Sequence, residues 1–154
     1  MEGVLKKEKG SYLDMGTGSG YLAISYKRTH PEEEVWAADI DPEALQEARR
    51  NAQGLDIVFV ESDLFSNISR RFEVISFNPP YLPPDGGPPD PETVDNGSFA
   101  RFVKEVQEYL LPGGRAYVLI NDQTPGKDLL QGWELVARKK LFFEELFVYR
   151  YIKE

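Results

Sequence analysis

The sequence predicts an α/β protein with a doubly wound, mostly parallel seven-stranded sheet that ends in an antiparallel hairpin. Three observations support this prediction. Strand-like and helix-like segments alternate along the 154 residues, most links between them are short, and two long strand-like segments close the chain. This alternation is typical of a parallel sheet with helices on both faces. The length suits one domain, so we expect residues 1–154 to form a single domain.

Each predicted strand is a short apolar run that begins and ends near turn-forming residues. β-Branched and aromatic residues are frequent in these runs, as is typical of strands. The predicted strands are residues 11–15, 35–39, 56–61, 72–77, 115–121, 134–142 and 145–151. Only a tight turn separates the last two, so we expect them to pair antiparallel at one edge of the sheet.

The predicted helices carry start and stop signals. Asp41 is the expected N-cap of a helix that runs to residue 52, with Pro42 at its first position and Gly54 beyond its end. A helix is also predicted over residues 98–111, where apolar residues recur on one face and a Pro-Gly-Gly sequence follows. The remaining predictions are helices at 19–26 and, more briefly, at 125–131.

Composition excludes several classes of protein. No apolar run of about 18 residues is present, and the start lacks the apolar core of a signal peptide, so we expect a cytoplasmic protein. With no cysteine and one histidine, no metal site is predicted. The net charge of −8 disfavours a phosphate backbone as the main substrate, unless a partner subunit supplies basic surface. The charge is equally explained by a need for solubility.

A glycine-rich turn, Gly16-Thr17-Gly18-Ser19-Gly20, follows the first predicted strand. Open α/β sheets bind ligands beyond the carboxyl ends of their strands, and glycine lets the backbone approach a ligand closely. The spacing differs from the Gly-x-Gly-x-x-Gly of dinucleotide sites. Alone, the turn is also compatible with a tight strand-to-helix connection that binds nothing.

Two carboxylates follow the next strands. Asp39 ends the second strand, where a carboxylate can accept hydrogen bonds from ribose hydroxyls, as it also does in NAD sites. Asp63 follows the third strand and could accept from an adenine amino group, or could cap a helix instead. We assign Asp41 a structural role because it occupies a cap position.

The fourth strand leads into Asn78-Pro79-Pro80-Tyr81. An amide or exocyclic amino nitrogen is a poor nucleophile, because its lone pair is delocalised. Acceptors at the Asn78 side chain and the Pro79 carbonyl could hold the two protons and orient that lone pair. The prolines would fix both acceptors in advance, and Tyr81 offers a ring for a planar group to stack on.

These motifs occur in an order that resembles the class I S-adenosylmethionine-dependent methyltransferases. The sequence is most similar to the HemK-type protein-glutamine methyltransferases, and its ending resembles the short archaeal and eukaryotic branch. The resemblance extends over nearly the whole chain. It rests on four segments, at residues 13–20, 37–45, 62–65 and 78–81.

The resemblance implies a Rossmann-like fold and N-methylation of a glutamine amide in the Gly-Gly-Gln loop of a peptide-chain release factor. S-Adenosyl-L-methionine would be the methyl donor and S-adenosyl-L-homocysteine the product. Asn78, Pro79 and Tyr81 are the expected catalytic residues, and Pro80 joins them in binding the substrate. The expected cofactor contacts are Asp14, Gly16, Thr17, Gly18, Gly20, Asp39, Ile40, Asp63, Leu64 and Asn78.

The resemblance also implies a possible partner, a small zinc-binding activator subunit at the edge strand 56–61. Two departures from the family stand out. About ten residues precede the first strand, so a covering segment is expected to be missing or supplied by another chain, and only Asp95-Asn96-Gly97-Ser98 stands where a glycine-rich patch is usual. The proline-rich segment 79–91 is expected to form a loop at the mouth of the site.

Two other functions are compatible with the sequence. A nucleic-acid methyltransferase acting on adenine or guanine amino groups faces the same chemical problem and uses the same tetrapeptide. A cofactor-binding scaffold subunit, inactive without a partner, would also carry the glycine turn and Asp39.

Overall fold

The computed structural model describes residues 1–79, 97–124 and 126–154. In this part of the chain, seven strands form one sheet in the order β3-β2-β1-β4-β5-β7-β6. The strands are β1 Tyr12–Met15, β2 Val35–Asp39, β3 Val58–Glu61, β4 Phe72–Phe77, β5 Leu110–Asn121, β6 Glu134–Lys140 and β7 Glu145–Ile152. The helices are α1 Glu2–Leu5, α2 Tyr21–Thr29, α3 Pro42–Asn51 and α4 Ser98–Glu105, with 3₁₀ turns at Val106–Tyr109 and Lys127–Leu130.

The predicted fold class is confirmed. The first five strands of the sheet order are parallel, and β7 pairs antiparallel with both β5 and β6. The predicted bounds of β2 and β4 agree with the structure at both ends. The Asp41 side chain accepts a hydrogen bond from the Glu43 amide at 2.9 Å, as its predicted cap role requires.

The predicted helix over residues 98–111 is too long. The α-helix ends at Glu105, a 3₁₀ turn follows, and Leu110 already pairs with Phe72 as the first residue of β5. The Pro-Gly-Gly sequence does not end a helix but bends a strand. Gly113 donates to the Lys153 carbonyl at 2.8 Å, and Lys153 donates back to the Gly114 carbonyl at 2.9 Å. These bonds hold the bent start of β5 in the sheet.

Apolar side chains fill both faces of the sheet. The four residues of β1 are buried, as expected for a central strand with covered faces. Its neighbouring residues Tyr12 and Leu13 belong to two separate clusters, because successive side chains point to opposite faces. One cluster includes Phe99 and Phe102 of α4, and the other includes Ala23 and further residues of α2.

The chain's first helix, α1, was not predicted and is held by tertiary contacts. The Glu2 carboxylate accepts hydrogen bonds from Tyr21 and, at 2.8 Å, from Ser25 on α2. Just beyond α1, Glu8 pairs with Arg115 of β5 and accepts a hydrogen bond from Tyr117. In the described part of the chain, no helix combines the length and apolar character needed to cross a bilayer.

The close approach of the turn before α2 to α3 depends on Gly20, the residue that precedes α2. Gly20 has a φ of 87°, and a β-carbon added to it would lie 3.0 Å from the Ala48 β-carbon. Gly54 offers a comparison, because its φ is 89° but an added β-carbon would meet no heavy atom within 4 Å. Gly20 therefore satisfies both a backbone and a packing requirement, whereas Gly54 satisfies only the first.

We expect Gly20→Ala to lower the free energy of unfolding by about 2–4 kcal/mol, and Gly54→Ala by about 1 kcal/mol. Both variants strain the backbone, but only the first overpacks the contact with Ala48. Urea denaturation of the two variants measures the difference. Adding Ala48→Gly to Gly20→Ala should recover part of the loss in a double-mutant cycle. Equal losses for the two alanine variants would contradict the packing role.

Candidate active site

The glycine turn lies where the sheet order reverses. From β1 the chain builds outward through β2 and β3 on one side, and through β4 and β5 on the other. Ligands of open α/β sheets bind at such a point, beyond the carboxyl ends of the strands. The Gly16 and Thr17 amides both donate to the Ala38 carbonyl, at 2.8 and 2.9 Å. The turn is thereby fixed to the end of β2.

Asp39 connects the turn to the start of α3. One carboxylate oxygen accepts a hydrogen bond from the Gly18 amide at 2.9 Å, and the other accepts from the Asp41 amide at 3.0 Å. A carboxylate oxygen can accept two hydrogen bonds, so each retains capacity for a donor from a ligand. Asp39 is half-buried, which leaves it accessible from the carboxyl edge of the sheet.

Asp14 lies beneath the turn and is 2% exposed. Thr17 donates to one of its carboxylate oxygens at 2.7 Å, and Ser76 of β4 donates to the other at 3.4 Å. Burial raises the pKa of Asp14 to about 7, even though both hydrogen bonds favour the ionised form. A carboxyl group with this pKa changes its charge near neutral pH.

Asn78 adjoins the glycine turn. Parallel pairing of β4 with β1 sets Phe77 opposite Met15, so the residues that follow these two strands are neighbours. A β-carbon added to Gly16 would lie 3.7 Å from the Asn78 carbonyl oxygen and 3.3 Å from the Phe77 ring. Asn78 is exposed and Pro79 is buried. The two parts of the predicted site therefore meet.

The rest of the tetrapeptide, Pro80 and Tyr81, lies outside the described residues, as does the rest of the predicted loop to residue 91. No contact is assigned to these residues. Gly97, the next residue that the structure describes, lies immediately before α4.

The residues after β2 and β3 flank the same edge of the sheet. Ile40 is 65% exposed, an unusual placement for a large apolar side chain beside the turn. Leu64 is buried and has a φ of 50°, a strained value for a residue with a branched side chain. Asp63 caps no helix, because the residues that follow it, 64–67, form a turn. Its carboxylate instead accepts from Arg101 of α4 at 3.0 Å.

Gly20 differs from the other glycines of the turn. Its α-carbon faces Ala48 and Ile24 within the protein, whereas a β-carbon added to Gly18 would meet no heavy atom within 4 Å. The space beside Gly18 is where a ligand could approach the backbone. Gly20 has a packing role in the structure, and its predicted contact with a cofactor stays a prediction.

Sequence reasoning missed two residues of this site, Ser76 and Arg101. Ser76 is buried and links Asp14 to the hydroxyl of Tyr12. The signal for it was a lone hydroxyl in the otherwise apolar end of β4, Val74-Ile75-Ser76-Phe77. Arg101 gave no signal, because its partner Asp63 is 38 residues away in the sequence.

The lone histidine has a structural environment. The His30 ring stacks on Tyr26 with ring centres 4.0 Å apart, and its Nε2 lies 2.6 Å from the Glu8 carbonyl oxygen. Among the residues that the structure describes, no group of three acidic or histidine side chains could hold a metal ion.

Comparison with known proteins shows the family to which this chain belongs. The profile of the methyltransferase small domain family matches residues 1–142. Release factor glutamine methyltransferase of Deinococcus radiodurans is 37% identical, over 96% of this chain and 60% of its own length. A protein of Methanocaldococcus jannaschii that is named as a protein N5-glutamine methyltransferase is 35% identical, over 88% of this chain and 78% of its own length.

Other relatives act on RNA. Ribosomal RNA small subunit methyltransferase C of Pasteurella multocida is 30% identical over 79% of this chain, but the match covers only 36% of that protein. The chain thus spans between about a third and about four fifths of the length of these three relatives.

Solved structures share the fold at lower identity. A ribosomal protein L11 methylase from Lactobacillus delbrueckii subsp. bulgaricus superposes with a TM-score of 0.74 at 19% identity, over 99% of this chain and 77% of that one. A 16S rRNA N2 G1207 methyltransferase of Thermus thermophilus, solved with AdoMet and guanosine, gives a TM-score of 0.68 at 23% identity, over 94% of this chain and 37% of that one. At these identities the similarity shows the fold alone.

The profile covers residues 1–142, and two relatives named as glutamine methyltransferases are at least 35% identical over most of this chain. The chain therefore belongs to the methyltransferase small domain family and is a class I methyltransferase of the HemK type.

Proposed function

We propose that this chain transfers a methyl group from S-adenosylmethionine to the side-chain amide nitrogen of a glutamine in a peptide-chain release factor. The observation that carries the proposal is the 3.7 Å approach between the Asn78 carbonyl oxygen and the β-carbon position of Gly16. The glycine turn, proposed to bind the methyl donor, and Asn78, proposed to bind the amide acceptor, are therefore neighbours. The proposal implies the cytoplasm, where release factors act.

The residues around the turn suit S-adenosylmethionine. Space is open beside Gly18, Asp39 retains acceptor capacity for ribose hydroxyls, and the exposed Ile40 could pack on an adenine ring. Asp63 could accept from the adenine amino group, although Arg101 now occupies one of its oxygens. When bound, S-adenosylmethionine supplies a methyl group on a positively charged sulfur.

Asn78 and Pro79 would orient the acceptor. The Asn78 side-chain oxygen and the Pro79 carbonyl are proposed to accept the two amide protons, which directs the nitrogen lone pair toward the glycine turn. One of these two protons is released to solvent when the nitrogen gains the methyl group. Fixed acceptors of this kind lower the barrier because they need no rearrangement during the reaction. The buried Pro79 restricts the backbone at this point. Pro80 and Tyr81 are proposed to complete the substrate site.

Glutamine is the favoured methyl acceptor because the relatives that match most of this chain are named as glutamine methyltransferases. The two glutamine methyltransferases match 96% and 88% of this chain, more than the 79% matched by the ribosomal RNA methyltransferase. The net charge of −8 also disfavours a phosphate backbone. The RNA enzyme nevertheless shares 30% of its residues with this chain over the match, so RNA is the second candidate substrate.

The proposed activator subunit has one supporting observation. β3 is an edge strand of the sheet, and Val58 on it is 40% exposed. An edge strand can accept a further strand from a partner. We therefore propose that a small partner subunit pairs with this edge strand.

Mass spectrometry of a release factor after incubation with the chain and S-adenosylmethionine tests the proposal. We expect the mass of one methylene group to be added, at a glutamine located by fragmentation. The same incubation with ribosomal RNA and labelled cofactor should leave the RNA unlabelled. Label on RNA and none on the factor would favour the second candidate. Activity restored only by an added partner subunit would favour a chain that is inactive alone.

Asn78→Ala should lower kcat by about 100-fold or more while cofactor affinity stays close to that of the natural chain. The variant removes the side-chain acceptor proposed for the substrate and keeps the Asn78 backbone, whose carbonyl oxygen lies beside the glycine turn. Turnover is measured with saturating release factor and cofactor, and cofactor binding by calorimetric titration. A variant with normal turnover would remove Asn78 from the catalytic role.

Asp39→Ala should raise the cofactor Kd by about 10- to 100-fold, because hydrogen bonds to a charged acceptor contribute about 1.5–3 kcal/mol each. Asp41→Ala is the matched control, since it removes a neighbouring carboxylate with a cap role. We expect the control to lose about 1 kcal/mol of stability and to keep its cofactor affinity. Equal Kd values for Asp39→Ala and the natural chain would refute the ribose contact.

A further inference from the structure

The hairpin that joins β6 to β7 carries two aromatic side chains with no apolar cover. Phe142 is 93% exposed and Phe143 is 87% exposed, the two highest values among the exposed large apolar side chains of the described chain. Their rings contact each other edge to face, with centres 4.8 Å apart. Folding gains little from exposed rings, whereas an interface gains much from them.

The exposure of the two rings does not result from a frayed turn. The Leu141 amide donates to the Glu144 carbonyl at 2.7 Å, which closes the turn between the strands. Glu144 accepts from the Asn121 side chain at 3.1 Å, and Glu145 accepts from Arg138 at 2.9 Å. The bond from Asn121 fixes the turn to the end of β5 and the other two close the hairpin, so the two rings are presented to solvent by a closed turn.

The turn lies at the same edge of the sheet as the candidate active site. β7 is antiparallel to β5, and its residue Leu146 pairs with Asn121 at the carboxyl end of β5. β4 neighbours β5, and Asn78 follows the carboxyl end of β4. At about 4.8 Å per strand, the hairpin is displaced sideways from Asn78 by two to three strands, or about 10–14 Å across the sheet. The turn also projects further along the strand direction, because Asn121, the partner of Leu146, lies beyond Val118, the partner of Phe77.

A bound protein would extend over this distance. A protein interface of ordinary size covers about 800 Å² on each partner, which corresponds to a radius of about 16 Å. A folded substrate whose acceptor side chain is held at Asn78 would therefore reach the hairpin. A small molecule or an isolated side chain would not.

The charges near the turn favour a partner with acidic groups beside an apolar patch. Lys139 and Lys140 are exposed immediately before the two rings. The Glu145 carboxylate is paired with Arg138, and the Glu144 carboxylate accepts from the Asn121 amide and keeps its negative charge. The hairpin thus presents two ammonium groups and two rings on a chain whose net charge is −8.

We propose that the β6–β7 turn is a docking site for the protein substrate, with Phe142 and Phe143 seated in an apolar patch of the release factor that is bordered by acidic side chains. The inference rests on the proposed function, because it requires a folded protein as methyl acceptor. The turn contributes to the recognition of the substrate as a whole, whereas Asn78 and Pro79 contact the acceptor amide.

Steady-state kinetics of the Phe142→Ser/Phe143→Ser double variant tests the proposal. With intact release factor as substrate, we expect KM to rise about 10- to 100-fold, because buried aromatic anchors carry much of the energy of an interface. We expect kcat at saturating factor, the cofactor Kd and the unfolding temperature to stay close to those of the natural chain. The single variants Phe142→Ser and Phe143→Ser carry the test if the double variant fails to fold.

Leu135→Ser/Ile152→Ser is the matched control. These side chains are 42% and 49% exposed on the same two strands, but at the opposite end of the hairpin. The control should keep the natural KM. An equal KM for the natural chain and the Phe142→Ser/Phe143→Ser variant would overturn the docking site and leave the proposed function intact.

Two further outcomes are distinguishable. If the natural chain methylates RNA and not the release factor, the proposed function fails, and the docking inference fails with it. If sedimentation shows that the natural chain is a dimer and the Phe142→Ser/Phe143→Ser variant a monomer, the turn is an interface between copies, and the inference alone is overturned.

Discussion

Parallel pairing between β1 and β4 is the constraint on which the site depends. It places Phe77 opposite Met15, so the glycine turn and Asn78 leave the sheet side by side. A shift of one residue in this register would turn the side chains of β4 to the opposite face of the sheet. The buried link from Tyr12 through Ser76 to Asp14 joins the same two strands and favours the observed register. The backbone pairing of β1 with β4 and the buried side-chain hydrogen bonds between them therefore require the same register, and that register sets the geometry of the site.

Much of the fold follows from local sequence. β2 and β4 are predicted at both ends because each is an apolar run between turn-forming residues. The start of α3 is predicted because Asp41 and Pro42 are strong local signals. The prediction fails at the start of β5, where Pro-Gly-Gly is read as a helix stop. There the outcome is decided by pairing with Lys153, about 40 residues further along the chain.

The candidate site, like the fold, is predicted from local sequence only in part. Gly16, Asp39 and Asn78 are predicted from sequence to lie together because each ends or directly follows a strand, and the carboxyl ends of parallel strands meet at one edge. The pairing of Asp63 with Arg101 and the burial of Asp14 under Thr17 depend on contacts between elements. No periodicity or turn signal reports such contacts, because they depend on how α4 and the strands are arranged in space. The role of Gly20 in helix packing is hidden for the same reason.

The buried carboxyl of Asp14 has a consequence for the electrostatic balance of the sheet interior. With burial raising its pKa to about 7, this group is protonated in a large fraction of molecules at neutral pH, so the interior is spared the full cost of a permanent anion. A cation arriving above the glycine turn would favour the ionised form, and the proton would leave to solvent. The charge of Asp14 is thus linked both to the pH and to the charge of any group that binds above the turn.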